Sequence, residues 1–176
     1  MGYCRFNTFL QGVLILITIF LNSCNTKESY SVHKMLFTLL SEKHTRIDFI
    51  NLVEYNEEYN PYTYRNFFNG AGVGLGDINN DGLTDVYFCA NQSGNRLYLN
   101  KGNFVFEDIT EKAGVGCRGS WSTGVSIADI NGDGWLDIYV CKSGNPQSTH
   151  RSNELFINNG DLSTGNPGFN KPSIIY

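Results

Sequence analysis

The chain contains an internal repeat, and this repeat constrains the fold more than any other feature of the sequence. Residues 72–90 (GVGLGDINNDGLTDVYFCA) align without a gap with residues 124–142 (GVSIADINGDGWLDIYVCK), at an offset of 52 residues. The match resumes after a six-residue insertion, where residues 96–102 (RLYLNKG) align with residues 154–160 (ELFINNG). A period of about 50 residues is typical of solenoid and propeller arrays, whose units cannot bury their apolar faces alone. The sequence therefore predicts two copies of one structural unit.

Each copy has the pattern of short β-strands. Apolar residues alternate with small ones at the start of each copy, and β-branched or aromatic runs follow. The chain has 19 glycines, 10 tyrosines and 12 phenylalanines, which suits strands joined by tight turns. The predicted strands are 73–75, 86–89, 97–99 and 104–109 in the first copy, and 125–127, 138–141 and 155–157 in the second. Four antiparallel strands form a propeller blade, so we predict an all-β fold, a partial β-propeller of two blades.

An acidic loop lies between the first two predicted strands of each copy, and its pattern predicts a calcium site. The loops are DINNDGLTD and DINGDGWLD. All candidate ligands are oxygen atoms, and neither loop contains Cys or His, which favours a hard cation over zinc. Ca²⁺ accepts six to eight oxygens in a flexible geometry, whereas Mg²⁺ requires a stricter octahedron. The predicted ligands of the two Ca²⁺ ions are Asp77, Asn79, Asp81, the Leu83 carbonyl and Asp85, and Asp129, Asn131, Asp133, the Trp135 carbonyl and Asp137.

Two other interpretations of these loops compete with a calcium site. An EF-hand loop opens in the same way, but its twelfth position is a bidentate Glu, and here that position is Phe88 or Val140. Both loops also run into β-type sequence instead of a helix. The simpler alternative is an acidic turn without metal, which is common for a single loop. Two such loops at matched positions favour metal binding.

These loops, the strands that follow them and the segment FEDITEKAGV (residues 106–115) resemble the FG-GAP/VCBS repeat family. The resemblance is greatest to bacterial lipoproteins of the ASPIC/UnbV, cartilage-acidic-protein type, and covers about residues 33–160. It implies a calcium-stabilised β-propeller like that of integrin α-subunits, with both acidic loops as ligand sets.

The amino terminus has the pattern of an export signal. Arg5 precedes an apolar run at residues 9–21, which is too short to span a membrane as a helix. The run ends in Leu21, Asn22, Ser23 and Cys24, which resembles the lipobox of bacterial lipoproteins. We therefore expect residues 1–23 to be a signal peptide, Cys24 to be lipidated, and residues 24–31 to be a polar linker. The expected location is outside the cytoplasm, on a bacterial membrane such as the outer membrane or the cell surface.

Residues 32–68 form a lead-in before the first repeat. Residues 32–40 (VHKMLFTLL) are predicted as a short amphipathic helix and residues 46–51 (RIDFIN) as a strand. Residues 55–68 contain six aromatic side chains, which could stack on a sugar. Packing against the first blade is the favoured interpretation, because aromatic residues supply most of the buried area in a small β domain.

The second repeat departs from the first near its end. The first blade is assigned to residues 69–115 and the second to residues 116–176. Where the first copy has FVFEDIT, the second has LSTGNPGFNKPSIIY, so its fourth strand is predicted to be missing. Propellers usually need four to eight blades, and two blades leave open strand edges. We therefore expect the chain to be an amino-terminal fragment or a truncated product of a longer propeller protein; assembly with other chains is the less favoured alternative.

The net charge and the motifs of the chain disfavour some classes of function. From Cys24 onward the chain has 12 basic and 17 acidic residues, a net charge of −5, which disfavours nucleic acid as a partner. His150 and Arg151 lie in an inter-strand loop and have no ionisable partner placed by the sequence, so a catalytic role for them is disfavoured. The sequence predicts a non-enzymatic module that binds a glycan or protein ligand, or acts as a scaffold. The alternative is part of a calcium-dependent polysaccharide-degrading enzyme.

Overall fold

The computed structural model describes residues 36–143, 151–163, 167–170 and 173–175. The chain divides into two compact units, Met1–Leu39 and Leu40–Tyr176. Of the first unit only residues 36–39 are described, and they form no helix or strand. The predicted signal peptide, Cys24 and the polar linker lie outside the described residues, as does His150. Within the described ranges, no helix has the length and apolar character required to cross a membrane.

The first repeat forms a four-stranded antiparallel sheet in the order β1-β2-β3-β4. Its strands are β1 (Val73–Gly76), β2 (Asp85–Phe88), β3 (Arg96–Asn100) and β4 (Phe106–Asp108). The acidic loop joins β1 to β2, and Gly76 pairs with Asp85 directly at its base. A four-residue helix, Thr110–Ala113, follows β4 and leads towards the second repeat. The four strands lie within one or two residues of their predicted positions.

The second repeat also forms a four-stranded antiparallel sheet, in the order β5-β6-β7-β8. Its strands are β5 (Trp121–Ala128), β6 (Asp137–Ser143), β7 (Asn153–Phe156) and β8 (Ser173–Ile175). Ala128 pairs with Asp137 at the base of the second acidic loop, as Gly76 pairs with Asp85 in the first. The repeat in the sequence is therefore a repeat in structure.

The prediction that the second sheet lacks its fourth strand was wrong. Strand β8 pairs with β7, so that Glu154 lies opposite Ile174. Before β8, Phe169 forms a bridge with Asn158, in the same place where Phe106 pairs with Asn100 in the first sheet. The turn before Phe169 is five residues longer than the turn before Phe106. This longer turn hid the strand from an alignment at constant offset.

The two sheets pack face to face through their first strands. Alternate positions of β1 are glycine, and the face of β1 that carries these glycines contacts the aliphatic side chains of β5. A Cβ atom added at Gly74 would lie 2.8 Å from the Ile127 side chain. At Gly72 the neighbour is backbone, since an added Cβ would lie 2.8 Å from the Gly124 Cα atom. The buried core between the sheets includes Ile78, Tyr87, Cys89, Leu97, Leu99, Ile138, Val140 and Phe156.

Residues 32–35 of the predicted helix lie outside the described residues, and the described part of the lead-in contains neither predicted element. Residues 36–40 are not helical and residues 46–51 form no strand, whereas a four-residue helix occurs at Glu42–Thr45, after the capping residue Ser41. The segment 46–51 instead contacts the first sheet through side chains. Phe49 stacks on Phe88 with ring centroids 4.9 Å apart, and the Tyr98 hydroxyl donates to Asp48 at 2.8 Å. Side-chain contacts of this kind have no signature in hydrophobic periodicity, so the prediction failed.

Three of the six aromatic residues in segment 55–68 pack on Trp121 of the second sheet, whereas the favoured prediction placed these residues against the first blade. Tyr59, Tyr64 and Phe67 surround Trp121 on β5, with ring centroids between 5.1 and 5.4 Å from the indole. The Tyr64 hydroxyl also lies 2.9 Å from the Ser143 hydroxyl on β6. Tyr55 and Tyr62 remain exposed, as does Phe68, although the Phe68 ring packs edge-on against Phe67 with centroids 5.0 Å apart.

Candidate metal centre

The first acidic loop is held by hydrogen bonds from its own backbone to its acidic side chains. The Asp77 carboxylate accepts from Asp81 N at 3.0 Å and from Gly82 N at 2.8 Å. The Asp81 carboxylate accepts from Leu83 N at 2.9 Å and from the Asn79 amide at 2.9 Å. Gly82 has a φ of 85°, which a residue with a side chain rarely adopts. Asp77, Asn79 and Asp81 are thus brought together around one tight turn.

The second loop repeats this arrangement nearly atom for atom. The Asp129 carboxylate accepts from Asp133 N at 3.1 Å and from Gly134 N at 2.9 Å. The Asp133 carboxylate accepts from Trp135 N at 2.9 Å and from the Asn131 amide at 2.7 Å. The matched bonds show that the shared sequence encodes a shared loop conformation.

The last acidic residue of each loop is buried beneath it and joined to the sheet. One Asp85 oxygen accepts from Ile78 N at 2.9 Å and the other from Asn100 N at 2.8 Å. Asp137 accepts from Ile130 N at 2.9 Å and from Asn158 N at 2.8 Å in the same way. Both carboxylates are fully buried. Asp85 therefore connects its loop to the third strand of its sheet, and Asp137 connects its loop to the second residue after the third strand.

Electrostatic repulsion is built into the first loop. Burial raises the pKa of the Asp85 carboxyl to about 6, although the hydrogen bonds from Asn100 and Ile78 act in the opposite direction. The negative charges of Asp81 and Asp77 raise this pKa further. Among the described residues, none of the acidic residues of either loop forms an ion pair with Lys or Arg. A divalent cation would relieve this uncompensated negative charge.

The donor chemistry of the loops fits a hard cation, but their side chains are not arranged as a complete site. In the described part of the chain, no group of three or more His, Cys, Asp or Glu is placed to hold a metal ion. Two of the three carboxylates in each loop use both oxygens to accept backbone hydrogen bonds, and two of the five predicted ligands are amide or carbonyl oxygens. The carbonyls of Leu83 and Trp135 accept no hydrogen bond from any described residue, so both oxygens are open to a ligand.

Two asparagines that the sequence analysis overlooked complete the loops. Asn100 and Asn158 occupy the same position in the segments RLYLNKG and ELFINNG, so the repeat itself carried the signal. The Asn158 amide also crosses between the sheets, since it donates to the Ile78 carbonyl at 2.9 Å. The two loops are further joined by the Asn80 amide, which donates to the Gly134 carbonyl at 3.1 Å. The two loops are therefore neighbours.

Comparison with known proteins defines the class of the repeat. Residues 77–140, which run from the first loop through the second loop and most of β6, match the FG-GAP-like repeat family. This region of the chain is therefore an FG-GAP-like repeat, as its sequence indicated.

Part of the chain is also similar in sequence to individual known proteins. The chain is 40% identical over 83 residues to cartilage acidic protein 1 of Xenopus tropicalis, and equally so to that of Mus musculus; each match covers 47% of this chain and 12% of the relative. It is 34% identical over 108 residues to cartilage acidic protein 1 of Homo sapiens, covering 59% of this chain and 16% of the relative. The chain thus matches only a small part of the length of these relatives.

Proposed function

We propose that the chain is an exported, lipid-anchored, calcium-binding β-propeller module that binds a glycan or protein ligand or acts as a scaffold. The observation that carries the calcium assignment is the pair of acidic loops with matching hydrogen bonds. Asp77, Asn79, Asp81, the Leu83 carbonyl and Asp85 would hold one Ca²⁺, and the equivalent residues from Asp129 to Asp137 would hold the other. The cation would act as a structural element that neutralises each loop.

The propeller assignment is supported by the way the two sheets pack. In a propeller, each blade packs against one neighbouring blade through one face and against the other neighbouring blade through the opposite face. The glycine side of β1 receives Val125 and Ile127 from β5. The corresponding small residues of β5, Ser126 and Ala128, are exposed and repeat the receiving surface. Such a surface would accept a further blade of the same type.

The lipid anchor rests on the sequence alone. Cys24 follows the apolar run of residues 9–21, and several acyl chains on one cysteine would give a firm membrane attachment. We expect Cys24→Ser to move the protein from the membrane fraction to the soluble fraction of cells that express the full chain. Unchanged fractionation of this variant would remove the anchor from the proposal.

The absence of a basic face argues against nucleic acid as the ligand, since the chain from Cys24 onward has a net charge of −5. The FG-GAP repeat and the similarity to cartilage acidic protein 1 favour a non-enzymatic role. A ligand would then bind to the surface of the sheets, and calcium would stabilise the fold without taking part in a chemical reaction.

The decisive experiment is thermal unfolding of the full chain with excess Ca²⁺ and with EDTA. If free Ca²⁺ is about 100 times its dissociation constant, each site adds about 2.7 kcal/mol, or about 5 to 10 °C in Tm for a chain of this size. Asp133→Asn should reduce the calcium-dependent shift, whereas Asp161→Asn, a change of an exposed acid outside the loops, should preserve it. Identical melting curves in Ca²⁺ and EDTA would refute the calcium assignment.

A further inference from the structure

A surface groove in the lead-in is lined by three aromatic residues and one acid. Its volume is about 580 Å³, and its lining residues are Tyr55, Asn56, Glu57, Asn60, Pro61, Tyr62 and Phe68. The three aromatic side chains are strongly exposed: Tyr55 by 72%, Tyr62 by 100% and Phe68 by 66%. Grooves of this volume are typical of ligand sites, and clustered exposed aromatic side chains mark surfaces that bind a partner.

The loop that forms this groove is rigid. The Asn60 amide donates to the carbonyls of Asn56 and Glu57, both at 3.0 Å. Its side-chain oxygen accepts from Tyr62 N at 2.9 Å and from Thr63 N at 3.3 Å. Beneath the groove, Tyr59, Tyr64 and Phe67 are fixed around Trp121. The exposed rings are therefore presented on a preorganised loop, which lowers the entropy cost of binding.

The two asparagine side chains that line the groove are largely occupied by hydrogen bonds within the loop. A sugar requires free hydrogen-bond donors and acceptors, but the Asn60 side chain makes all its bonds within the loop. The Asn56 side-chain oxygen is likewise occupied, since it accepts from Glu58 N at 3.0 Å and Tyr59 N at 2.7 Å. What remains for recognition is a set of aromatic faces, the hydroxyls of the two exposed tyrosines, the Asn56 amide nitrogen and the Glu57 carboxylate, which is the one charged group among them.

Glu57 is the one charged residue among those that line the groove. Glu57 is exposed and forms no ion pair with any described residue. Glu54 and Glu58 lie close to it in the sequence, and Arg65, which does not line the groove, is the sole basic residue between Arg46 and Arg96. Aromatic faces attract organic cations through the ring quadrupole, and a nearby carboxylate adds Coulomb attraction.

From this charge complementarity we infer that the groove binds a lysine or arginine side chain of a protein partner, with the cation over the aromatic rings and beside Glu57. This inference rests on the proposed role in ligand binding, and it specifies a protein ligand instead of a glycan. It does not depend on calcium, because none of the groove residues belongs to an acidic loop.

The test is a titration of the full chain with Nα-acetyl-lysine N-methylamide and Nα-acetyl-arginine N-methylamide, followed by NMR of the aromatic side chains. Nα-acetyl-norleucine N-methylamide is the matched probe without a charge. We expect at least one cationic probe to shift the Tyr55, Tyr62 and Phe68 signals in a saturable way and the neutral probe to leave them unchanged. Equal binding of the neutral probe, binding of a neutral oligosaccharide at these rings, or no shift with either cation would overturn the inference.

Variants separate the contributions of the rings and of the carboxylate. Tyr62→Leu keeps an apolar side chain but removes the ring, and Glu57→Gln removes the charge; each should weaken binding of the cationic probe about three- to tenfold. Glu58→Gln is the control for net charge, since this neighbour does not line the groove, and it should change binding little. A loss as large in Glu58→Gln as in Glu57→Gln would overturn the specific role of the groove. The melting curves in Ca²⁺ and EDTA, measured on the same variants, show separately whether the calcium assignment holds.

Discussion

The two repeats have nearly the same sequence around their acidic loops, yet their equivalent residues differ greatly in exposure. Ile78 in the first loop is fully buried, whereas Ile130 at the same position of the second loop is 51% exposed. On the first strand of each sheet, the more exposed residues are those of the first repeat: Val73 and Leu75 are exposed, whereas Val125 and Ile127 pack against the core. The comparison shows that burial in a repeat protein is decided by the neighbouring unit and not by the unit's own sequence.

The isoleucine pair gives the strongest test of this comparison. Ile78→Ala should destabilise the chain by about 2 to 5 kcal/mol, because it leaves a cavity in the core between the sheets. Ile130→Ala should change the free energy of unfolding by about 0.5 kcal/mol or less, since that side chain is half exposed to solvent. Urea denaturation of both variants measures the difference. Equal losses would mean that Ile130 is covered in solution by a partner or a further segment.

The glycine pair tests the contact between the first strands. A methyl group at Gly72 would lie 2.8 Å from the Gly124 backbone, so Gly72→Ala should cost about 1 to 3 kcal/mol. A methyl group at Gly124 would meet only the Cys141 Cβ atom at 3.8 Å, an ordinary contact. Gly124→Ala should be neutral or slightly stabilising, by about 0.4 to 1 kcal/mol, through the unfolded state. A neutral result at both positions would contradict the close approach of the two strands.

The asparagine pair gives the smallest expected difference. The Asn158 side chain is fully buried and donates across to the first sheet, while the Asn100 side chain bonds only within its own repeat, to the Thr84 carbonyl and from Gly102 N. Asn158→Ala should therefore cost about 1 to 3 kcal/mol, and Asn100→Ala about 1 kcal/mol, because only the first leaves a buried carbonyl at the interface unpaired. Thermal unfolding compares them directly. A larger loss for Asn100→Ala would show that the inter-sheet bond adds little.

The sequence predicted what depends on local pattern. Seven of the eight strands and the two turns were expected, because alternation and the Asp-x-Asn-x-Asp-Gly spacing act over a few residues. The fourth strand of the second sheet was missed because a longer turn precedes Phe169. The lead-in was misassigned because its contacts, such as Phe49 on Phe88 and Tyr59 on Trp121, join residues that are far apart in sequence. No local rule identifies such partners.

The candidate site was predicted in its residues more fully than in its geometry. The spacing identified the acidic side chains, and the structure brings Asp77, Asn79 and Asp81 together. The spacing did not reveal that the Asp85 carboxylate is buried and that both of its oxygens accept hydrogen bonds from the backbone. That bond to Asn100 depends on how the third strand lies against the loop, which the spacing of the acidic residues cannot specify.

The hydrogen bond from the Asn158 amide to the Ile78 carbonyl has a consequence for how the chain is assembled. The two residues are 80 positions apart, so the base of the first loop acquires its last partner only after most of the second repeat has been synthesised. Until then, the amino-terminal sheet would leave the ribosome with an uncovered apolar face. The first repeat therefore completes its packing only after the second repeat has been synthesised. A nascent chain that stalls between the two repeats would be a substrate for chaperones.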